Sequence, residues 1–267
     1  MKGQVYLVGA GPGDPELLTV KAVRVLREAE VVLHDALVSP EVLELVPATA
    51  KVLHVGKRCG TPGVPQHEIN ALLMFYARRG QVVVRLKSGD PLIFGRAGEE
   101  MEALRAAGIP FEVVPGITAV LGAAAAAQVS LTDRRVASRV IIATNHHALD
   151  EAELEHPFAT SAGTTFALYM PGTDYRQIAE QMRRGGWPPR TPCLIVSKAS
   201  TAQQQVCVTN LEELAVVPAL PAPVVMLFGN VSSIARTSSA AIDSRDALLR
   251  GRWAADIPLA SATEMVE

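Results

Sequence analysis

A short apolar run that leads straight into a glycine-rich turn constrains the fold of this chain more than any other feature. Val5–Val8 is apolar, Gly9–Asp14 contains three glycines, and apolar residues recur at helical spacing from Pro15 to Leu26. The pattern predicts a strand, a tight loop and a helix that begins at Pro15. Such a unit is typical of α/β folds, in which strands and helices alternate.

The same alternation continues to residue 116. Runs that are apolar on both faces and separated by helical segments predict a parallel sheet covered by helices on both sides. Helices are expected near Pro40–Leu45 and over Gln66–Arg79. The five expected strands are Val5–Val8, Val31–Leu33, Val52–Val55, Val82–Val84 and Phe111–Val114.

The second half predicts another sheet. Two of its strands lie too close together before residue 210 for a crossover helix, so part of the sheet is expected to be antiparallel. The predicted strands are Val140–Ala143, Thr165–Tyr169, Cys193–Val196, Gln205–Val208 and Val224–Phe228. The predicted fold class is α/β with two α/β domains, the first mainly parallel (residues 1–116) and the second mixed (117–240). The polar tail, 241–267, is expected to be loose on the surface or an arm of a dimer.

Charge and cysteine content exclude several classes of protein. The 25 basic and 27 acidic residues nearly cancel, so no nucleic-acid partner is expected, and an anionic ligand needs a local basic pocket. Cys59, Cys193 and Cys207 show no CxxC spacing, which argues against a disulfide framework and a zinc site. Reduced thiols fit a cytoplasmic enzyme.

No segment predicts a membrane span or a metal site. The N-terminus lacks the basic and apolar regions of a leader, and no apolar run approaches the roughly 18 residues of a membrane helix. The alanine-rich stretch Ile117–Ala127 is instead interpreted as a buried helix. His146 and His147 are adjacent, which rarely allows chelation without further ligands, so we interpret them as exposed loop residues.

The first glycine-rich loop, taken alone, allows more than one function. Gly9–Asp14 lies where a dinucleotide-binding fold places its phosphate loop, and Asp35 lies at about the right distance to hold a ribose. However, Asp14 stands where that fingerprint needs a glycine, and Pro12 stiffens the turn. A NAD-linked oxidoreductase stays an alternative, as does a purely structural role for the glycines.

A second loop favours a different family. Arg85–Pro91 follows another strand, and two such loops at the carboxyl ends of strands can close on one ligand. With both loops the chain resembles the tetrapyrrole methylase family, over residues 3 to about 235. The motifs that carry the resemblance are Val8–Pro15, Val55–Arg58, Gln66 with Glu68–Asn70, Gly89–Pro91 with Phe94–Arg96, and Val114–Thr118.

The resemblance implies a site for S-adenosylmethionine in a cleft between two α/β domains, with S-adenosylhomocysteine as the product. Backbone groups at Gly89 and Ala119 would bond its adenine or methionine part, and Asp90 would accept from a hydroxyl or ammonium group. Without the family, Thr118 and Ala119 look like an ordinary helix start. The residues assigned to this cofactor are Pro12, Ser88, Gly89, Asp90, Ile93, Thr118, Ala119, Met170, Ala199 and Val224.

The resemblance also implies the substrate. The motifs at Gly56–Arg58 and Gln66–Asn70 favour members that methylate uroporphyrinogen III to precorrin-2 through precorrin-1, for sirohaem, cobalamin or haem d1, and a homodimer is implied. This polyanionic tetrapyrrole calls for arginine and lysine at the rim of its site. The rim candidates are Lys57, Arg58, Arg85, Lys87, Arg96 and Arg134, and the expected substrate contacts are Leu37, Lys57, Arg58 and Phe94.

Three residues are candidates for the chemistry. Methyl transfer from a sulfonium needs an in-line carbon nucleophile and exclusion of water more than a strong acid, but the pyrrole must lose a proton. Asp35 matches the acidic residue of the family that faces the substrate, and Glu99 is a second candidate acceptor. Glu99 lies one helical turn from Arg96, so the two are alternatively an ordinary helix ion pair.

Three positions depart from the family pattern. Ser88 replaces the usual first glycine of Gly-Gly-Asp-Pro, where a positive φ would strain a serine. Asp133 stands in place of histidine and Asn145 in place of glycine, both toward the substrate side. A methyltransferase for another precorrin is therefore an alternative, as is a non-catalytic carrier of a tetrapyrrole or nucleotide.

Overall fold

The first sheet is wholly parallel, as the sequence predicts. The computed structural model describes residues 3–56, 63–145, 158–159 and 162–234, all within the compact unit Met1–Arg236. The strands of this sheet are β1 (Val5–Gly9), β2 (Val31–His34), β3 (Lys51–His54), β4 (Val83–Lys87) and β5 (Phe111–Val114). Their order across the sheet is β3-β2-β4-β1-β5.

Helices cover both faces of this sheet because its strands are apolar on both sides. Leu7 packs with residues of two helices on one face, whereas its neighbour Val8 packs with those of two others on the opposite face. The helices on the Leu7 face are α3 (Gln66–Arg78) and α4 (Ala97–Ala106), and those on the Val8 face are α1 (Val20–Arg27) and α2 (Pro40–Leu43).

The first helix begins later than its apolar spacing predicts. Pro15–Leu17 forms a separate 3-10 turn, which Asp14 caps by accepting a backbone N–H at 2.9 Å. Thr19 then has an extended backbone, and its side chain accepts the N–H of Ala22 at 3.1 Å as the N-cap of α1. The prediction of one continuous helix was therefore wrong, because this cap starts a new helix at Val20.

The second sheet is mixed, also as predicted. Its strands are β6 (Arg139–Thr144), β7 (Thr164–Tyr169), β8 (Pro192–Ser197), β9 (Gln205–Asn210) and β10 (Val224–Phe228). They lie in the order β6-β7-β10-β8-β9, with β6 and β7 parallel and the other pairs antiparallel. The alanine-rich helix α5 (Ala119–Ala126) packs on one face of this sheet and α6 (Tyr175–Arg184) on the other.

Two further 3-10 segments, Leu214–Val216 and Asn230–Ile234, follow β9 and β10. Within the described ranges, no helix is long and apolar enough to cross a membrane. The predicted tail, Lys57 with Arg58, and the pair His146 and His147 lie outside the described residues. The division into domains at residue 116 stays a prediction.

Candidate active site

The loops after β1, β4 and β5 meet at the carboxyl edge of the first sheet, because these three strands are neighbours. The N–H of Gly11 donates to the carbonyl of Gly89 at 3.1 Å, and the N–H of Gly89 donates to the carbonyl of Gly11 at 2.7 Å. The N–H of Ala10 also donates to the carbonyl of Lys87 at 2.7 Å. The two glycine-bearing motifs of the sequence are thus joined directly.

The close approach of the three loops explains two glycines. A Cβ atom on Gly9 would lie 2.6 Å from the Cα of Gly116 and 2.7 Å from the carbonyl oxygen of Gly89, and one on Gly116 would lie 2.8 Å from the Cα of Gly9. These distances are far inside the contact distance of about 3.5–4.0 Å between non-bonded carbons. A larger residue at either position would force the loops apart.

Asp90 fastens the second loop to the third. Its Oδ2 accepts the N–H of Gly116 at 2.9 Å, and its Oδ1 accepts the N–H of Leu92 at 2.8 Å. Each oxygen of this carboxylate thus accepts one backbone bond and retains a second lone pair, so the predicted contact with a hydroxyl or ammonium group of a ligand stays a prediction. The neighbouring Ser88 does not have a positive φ, so a serine is accommodated there without backbone strain.

Tyr169, the last residue of β7, connects the second sheet to the third loop. Its hydroxyl lies 2.6 Å from Oγ1 of Thr118 and accepts the N–H of Val120 at 2.8 Å. Thr118 occupies the N-cap position of α5 without making a cap bond itself, so the tyrosine supplies the cap. Burial raises the pKa of Tyr169, which keeps the hydroxyl protonated. Sequence reasoning missed this residue because a tyrosine that ends an apolar strand looks like core.

Three predicted site residues have left-handed backbone conformations. The φ angles of Phe94, Arg96 and Met170 are 52°, 55° and 50°, which outside glycine cost about 1–3 kcal/mol each and cluster at functional sites. Phe94 also packs against the ring of Tyr169, with centroids 5.2 Å apart. Phe94 and Met170 remain 43% and 42% exposed, so apolar surface is held in a strained position beside the loops.

Asn145 fixes the backbone on both sides of Met170. Its N–H donates to the carbonyl of Tyr169 at 3.0 Å, and its Nδ2 donates to the carbonyl of Pro171 at 3.5 Å. A glycine at this position would lack the second bond. The departure from the family pattern therefore strengthens the local structure beside a predicted cofactor residue.

Most of the remaining cofactor candidates surround α5. Ile93, Ala119 and Ala199 belong to the apolar cluster between α5 and the second sheet. Pro12 packs on the same helix, since a Cβ on Gly122 would lie 2.8 Å from the Cβ of Pro12. Val224 differs, because its side chain belongs to the cluster on the opposite, α6 face of the sheet. The structure therefore does not bring the Val224 side chain to the others.

Asp35 follows β2 at the same carboxyl edge and is 27% exposed in its side chain. It pairs with Arg85, which is 2% exposed, and Arg85 and Lys87 both pair with the fully buried Glu100. The prediction that Arg85 and Lys87 lie at an open rim was wrong. Two cations at alternate positions of a strand buried on both faces share one face, and this pattern could have indicated a buried acidic partner.

Arg96 and Glu99 form an exposed ion pair at the start of α4. Arg96 donates from Nε and Nη2 to the two oxygens of Glu99 at 2.7 and 2.8 Å, and both side chains are about half exposed. The hydrogen bond from Arg96 lowers the pKa of Glu99. The ion pair that the sequence analysis left as an alternative is present, and it leaves both groups accessible to a ligand.

The substrate-side candidates lie in different loops, with Leu37 after β2 and both Asp133 and Arg134 between α5 and β6. Leu37 is 58% exposed, and Arg134 is exposed. Asp133 is held within its own loop, since Arg135 donates to both of its oxygens at 2.9 and 2.6 Å. These bonds lower the pKa of Asp133 to about 2, so a carboxylate stands where the family carries histidine.

The strand order argues against a nicotinamide cofactor. A dinucleotide-binding fold has the order 3-2-1-4-5-6, which places the glycine loop after β1 beside the acidic residue after β2. Here β4 lies between β1 and β2, so Gly9–Asp14 and Asp35 do not follow neighbouring strands. The spacing along the sequence could not reveal this insertion.

The model of the family "Tetrapyrrole (Corrin/Porphyrin) Methylases" matches residues 4–215. The chain belongs to this family. Among relatives of this tetrapyrrole methylase, the uroporphyrinogen-III C-methyltransferase of Paracoccus denitrificans is 47% identical over 237 residues, which are 87% of this chain and 83% of that protein. The siroheme synthase of Tolumonas auensis is 44% identical over 89% of this chain and 51% of its own length. The methylase thus spans about half of that relative.

A solved structure has the same fold. The uroporphyrin-III C-methyltransferase of Thermus thermophilus, solved in complex with S-adenosylhomocysteine, is 39% identical and superposes with a TM-score of 0.73. The match covers 86% of the methylase described here and 99% of the Thermus chain. The α/β fold class, with its parallel first sheet and mixed second sheet, is therefore confirmed.

Proposed function

We propose that this methylase transfers methyl groups from S-adenosylmethionine to ring carbons of uroporphyrinogen III, giving precorrin-2 by way of precorrin-1. The observation that carries the proposal is the junction of three loops at the carboxyl edge, tied by the Gly11–Gly89 bonds and by Asp90, and joined to the second sheet by Tyr169. The identity to the Paracoccus enzyme supports the choice of substrate.

The residues at this junction fit S-adenosylmethionine. The N–H of Ala119 is the first of α5 and has no acceptor among the described residues, so it is available to an adenine nitrogen or a carboxylate. Gly89 lies next to this N–H, since a Cβ atom on Gly89 would be 3.7 Å from the nitrogen of Ala119. The exposed side chain of Met170 offers apolar contact. The other proposed contacts are Pro12, Ser88, Asp90, Ile93, Thr118, Ala199 and Val224, the last through its backbone.

The proposed mechanism depends on positioning. When bound, S-adenosylmethionine supplies a methyl group on a positively charged sulfur, which a pyrrole carbon can attack in line. Phe94 and Met170 cover the reacting centre and exclude water. Asp35 accepts the proton that the substituted ring releases, since its Oδ2 accepts no hydrogen bond from the described residues.

The substrate side is formed by exposed residues of the same edge. Arg96 pairs with carboxylates of the substrate, for which its exposed fork is suited. Glu99 holds that fork and is a second proton acceptor. Leu37 and Phe94 contact the tetrapyrrole ring, and Lys57 and Arg58, outside the described residues, supply further positive charge.

Several finer features belong to the same proposal. We propose a homodimer, supported by the edge strand β6, where Ile141 and Ile142 are 37% and 38% exposed. We also propose the two-domain division with its boundary near residue 116, supported by the two separate sheets.

A cytoplasmic location is supported by the free thiols of Cys193 and Cys207. The siroheme synthase relative supports the sirohaem route for the product.

Incubation with S-adenosylmethionine and uroporphyrinogen III, followed by mass spectrometry, tests the proposal. The expected product carries two added methyl groups. Binding of S-adenosylhomocysteine without any mass gain would contradict the proposed substrate. In that case turnover of a later precorrin would favour another methylase, and binding without any turnover would favour a carrier.

A further inference from the structure

Three charged side chains are buried beneath the carboxyl edge of the first sheet. Arg85 and Lys87 of β4 are each 2% exposed and Glu100 of α4 is 0% exposed. Removal of such groups from water is costly, and a buried ion pair is often no more stabilising than apolar residues of similar size. Stability alone therefore does not explain these three buried charges, whereas a role in orienting a neighbouring group does.

Glu100 is the centre of this buried cluster. Its Oε1 accepts from Nε of Arg85 at 2.9 Å, from Nζ of Lys87 at 2.8 Å and from Nε2 of Gln66 at 3.1 Å. Gln66 is held in turn by Asn70 on the same helix, at 3.3 Å. Three donors from two elements, α3 and β4, thus converge on one oxygen. With Asp35, two negative charges balance two positive ones.

Arg85 is the only member of the cluster, among the described residues, that bonds both Glu100 and Asp35. Its Nη1 lies 3.3 Å from the carbonyl oxygens of Leu33 and Leu86, and its Nη2 donates to Oδ1 of Asp35. Burial opposes its charge, but the carboxylates of Asp35 and Glu100 raise the pKa of Arg85 overall. A planar, charged group fixed on three sides leaves little freedom for the carboxylate that it holds.

We propose that Glu100 is a positioning residue, which acts through Arg85 to hold the carboxylate of Asp35 toward the substrate. The inference rests on the proposed function, in which Asp35 accepts a proton. Glu100 fixes the Nε side of the guanidinium, Arg85 passes that orientation to Oδ1 of Asp35, and Oδ2 is left to the substrate. Lys87 touches the same Glu100 oxygen but makes no bond to Asp35.

The two cations provide a matched pair of variants. Arg85→Met and Lys87→Met each remove one buried positive charge and one bond to the same oxygen of Glu100. We expect Arg85→Met to lower kcat by about tenfold or more, as displacement of a catalytic group does, and Lys87→Met to stay within about twofold. Binding of S-adenosylhomocysteine, measured by calorimetry, is expected to be unchanged in both, which also shows that they fold.

A double-mutant cycle separates positioning from general destabilisation. Glu100→Gln is expected to lower kcat by about tenfold in the wild-type background but by less than about twofold in Asp35→Asn, because two residues that act through one contact are not additive. The KM for uroporphyrinogen III is expected to change less than kcat. If Glu100→Gln does not fold, the double variant Glu100→Gln with Lys87→Met is used in its place. The second substitution removes the positive charge that Glu100→Gln leaves without a partner, and the double variant is combined with Asp35→Asn in the same way.

Each outcome decides one point. An equal loss of kcat in Arg85→Met and Lys87→Met, or a Glu100→Gln effect that persists undiminished in Asp35→Asn, would overturn the inference while the proposed function stands. An inactive wild-type protein that still binds S-adenosylhomocysteine would instead overturn the proposed function. An unchanged kcat in Asp35→Asn would also overturn the inference, because Asp35 would then not be the proton acceptor, whereas the proposed function would stand with Glu99 in that role.

Discussion

The hydroxyl of Tyr169 lies 2.6 Å from Oγ1 of Thr118, and the same hydroxyl caps the first turn of α5 through the N–H of Val120. This pair ties the end of a strand in the second sheet to a loop of the first. The loop carries two proposed cofactor residues, Thr118 and Ala119. The position of this loop against the second sheet therefore depends in part on the hydroxyl of Tyr169.

Tyr169→Phe is expected to weaken binding of S-adenosylhomocysteine by about fivefold, because loss of a helix cap costs about 1 kcal/mol. The ring contact with Phe94 is retained in this variant, so only the bonds are tested. Isothermal titration calorimetry provides the measurement. Tyr175→Phe is the matched control, since Tyr175 is also buried and its hydroxyl accepts the N–H of Leu220 at 3.1 Å on the other face of the sheet. Equal affinities of the two variants would contradict the role of Tyr169.

Gly116→Ala is expected to lower the free energy of unfolding by about 1–3 kcal/mol, as overpacking does, and to weaken cofactor binding. The added methyl group would meet the backbone of Gly9 and Gly89. Thermal and urea unfolding measure the first effect. The control is Gly98→Ala in α4, where a Cβ would meet nothing within 4 Å. At position 98, alanine is expected to stabilise the protein by about 0.5–1 kcal/mol. A loss of stability in Gly98→Ala would show that the space beside Gly98 is not open.

Asp90→Ala is expected to raise the Kd for S-adenosylhomocysteine by at least about tenfold, since hydrogen bonds to a charged group contribute about 1.5–3 kcal/mol each. The carboxylate holds Leu92 and Gly116, so its loss frees the loop. Arg96→Ala is expected to leave this Kd unchanged and to lower kcat/KM. The stability of Arg96→Ala should change by less than about 1 kcal/mol, because exposed ion pairs contribute little. An unchanged Kd in Asp90→Ala would contradict the loop assignment.

The stability of the protein is expected to fall as the pH decreases below 6.5, and His34 contributes to this fall. Burial lowers the pKa of His34, and His54, whose ring centroid lies 5.2 Å away, lowers it further. The unfolded chain therefore binds a proton at a higher pH than the folded protein, so stability is lost between 6.5 and the lowered value. Urea unfolding from pH 7 to pH 5 should show a shallower loss in His34→Gln. His67→Gln, at an exposed histidine of α3, is the control, and an unchanged slope in His34→Gln would refute the assignment.

Much of the fold followed from the sequence because its signals are local. Apolar runs of strand length predicted every strand of the two sheets within a few residues, and the short interval before Gln205–Asn210 predicted the antiparallel part. The start of the first helix was the exception. The apolar pattern is unbroken from Pro15, but Thr19 caps a new helix that begins only at Val20. Family motifs named residues of the candidate site, but their individual roles stay proposals.

The sequence by itself determined the α/β class, the strands and the loops that carry the site, because side-chain periodicity and glycine turns are properties of neighbouring residues. Only the tertiary structure decided which loops meet. The insertion of β4 between β1 and β2 separates the glycine loop Gly9–Asp14 from Asp35. The same insertion brings this glycine loop to Gly89, because β4 and β1 are neighbours. Only the structure, too, showed that Arg85 and Lys87, which the sequence placed at the rim, are buried partners of Glu100. The sequence could not show this because Glu100 lies on a helix that is distant from these residues along the chain.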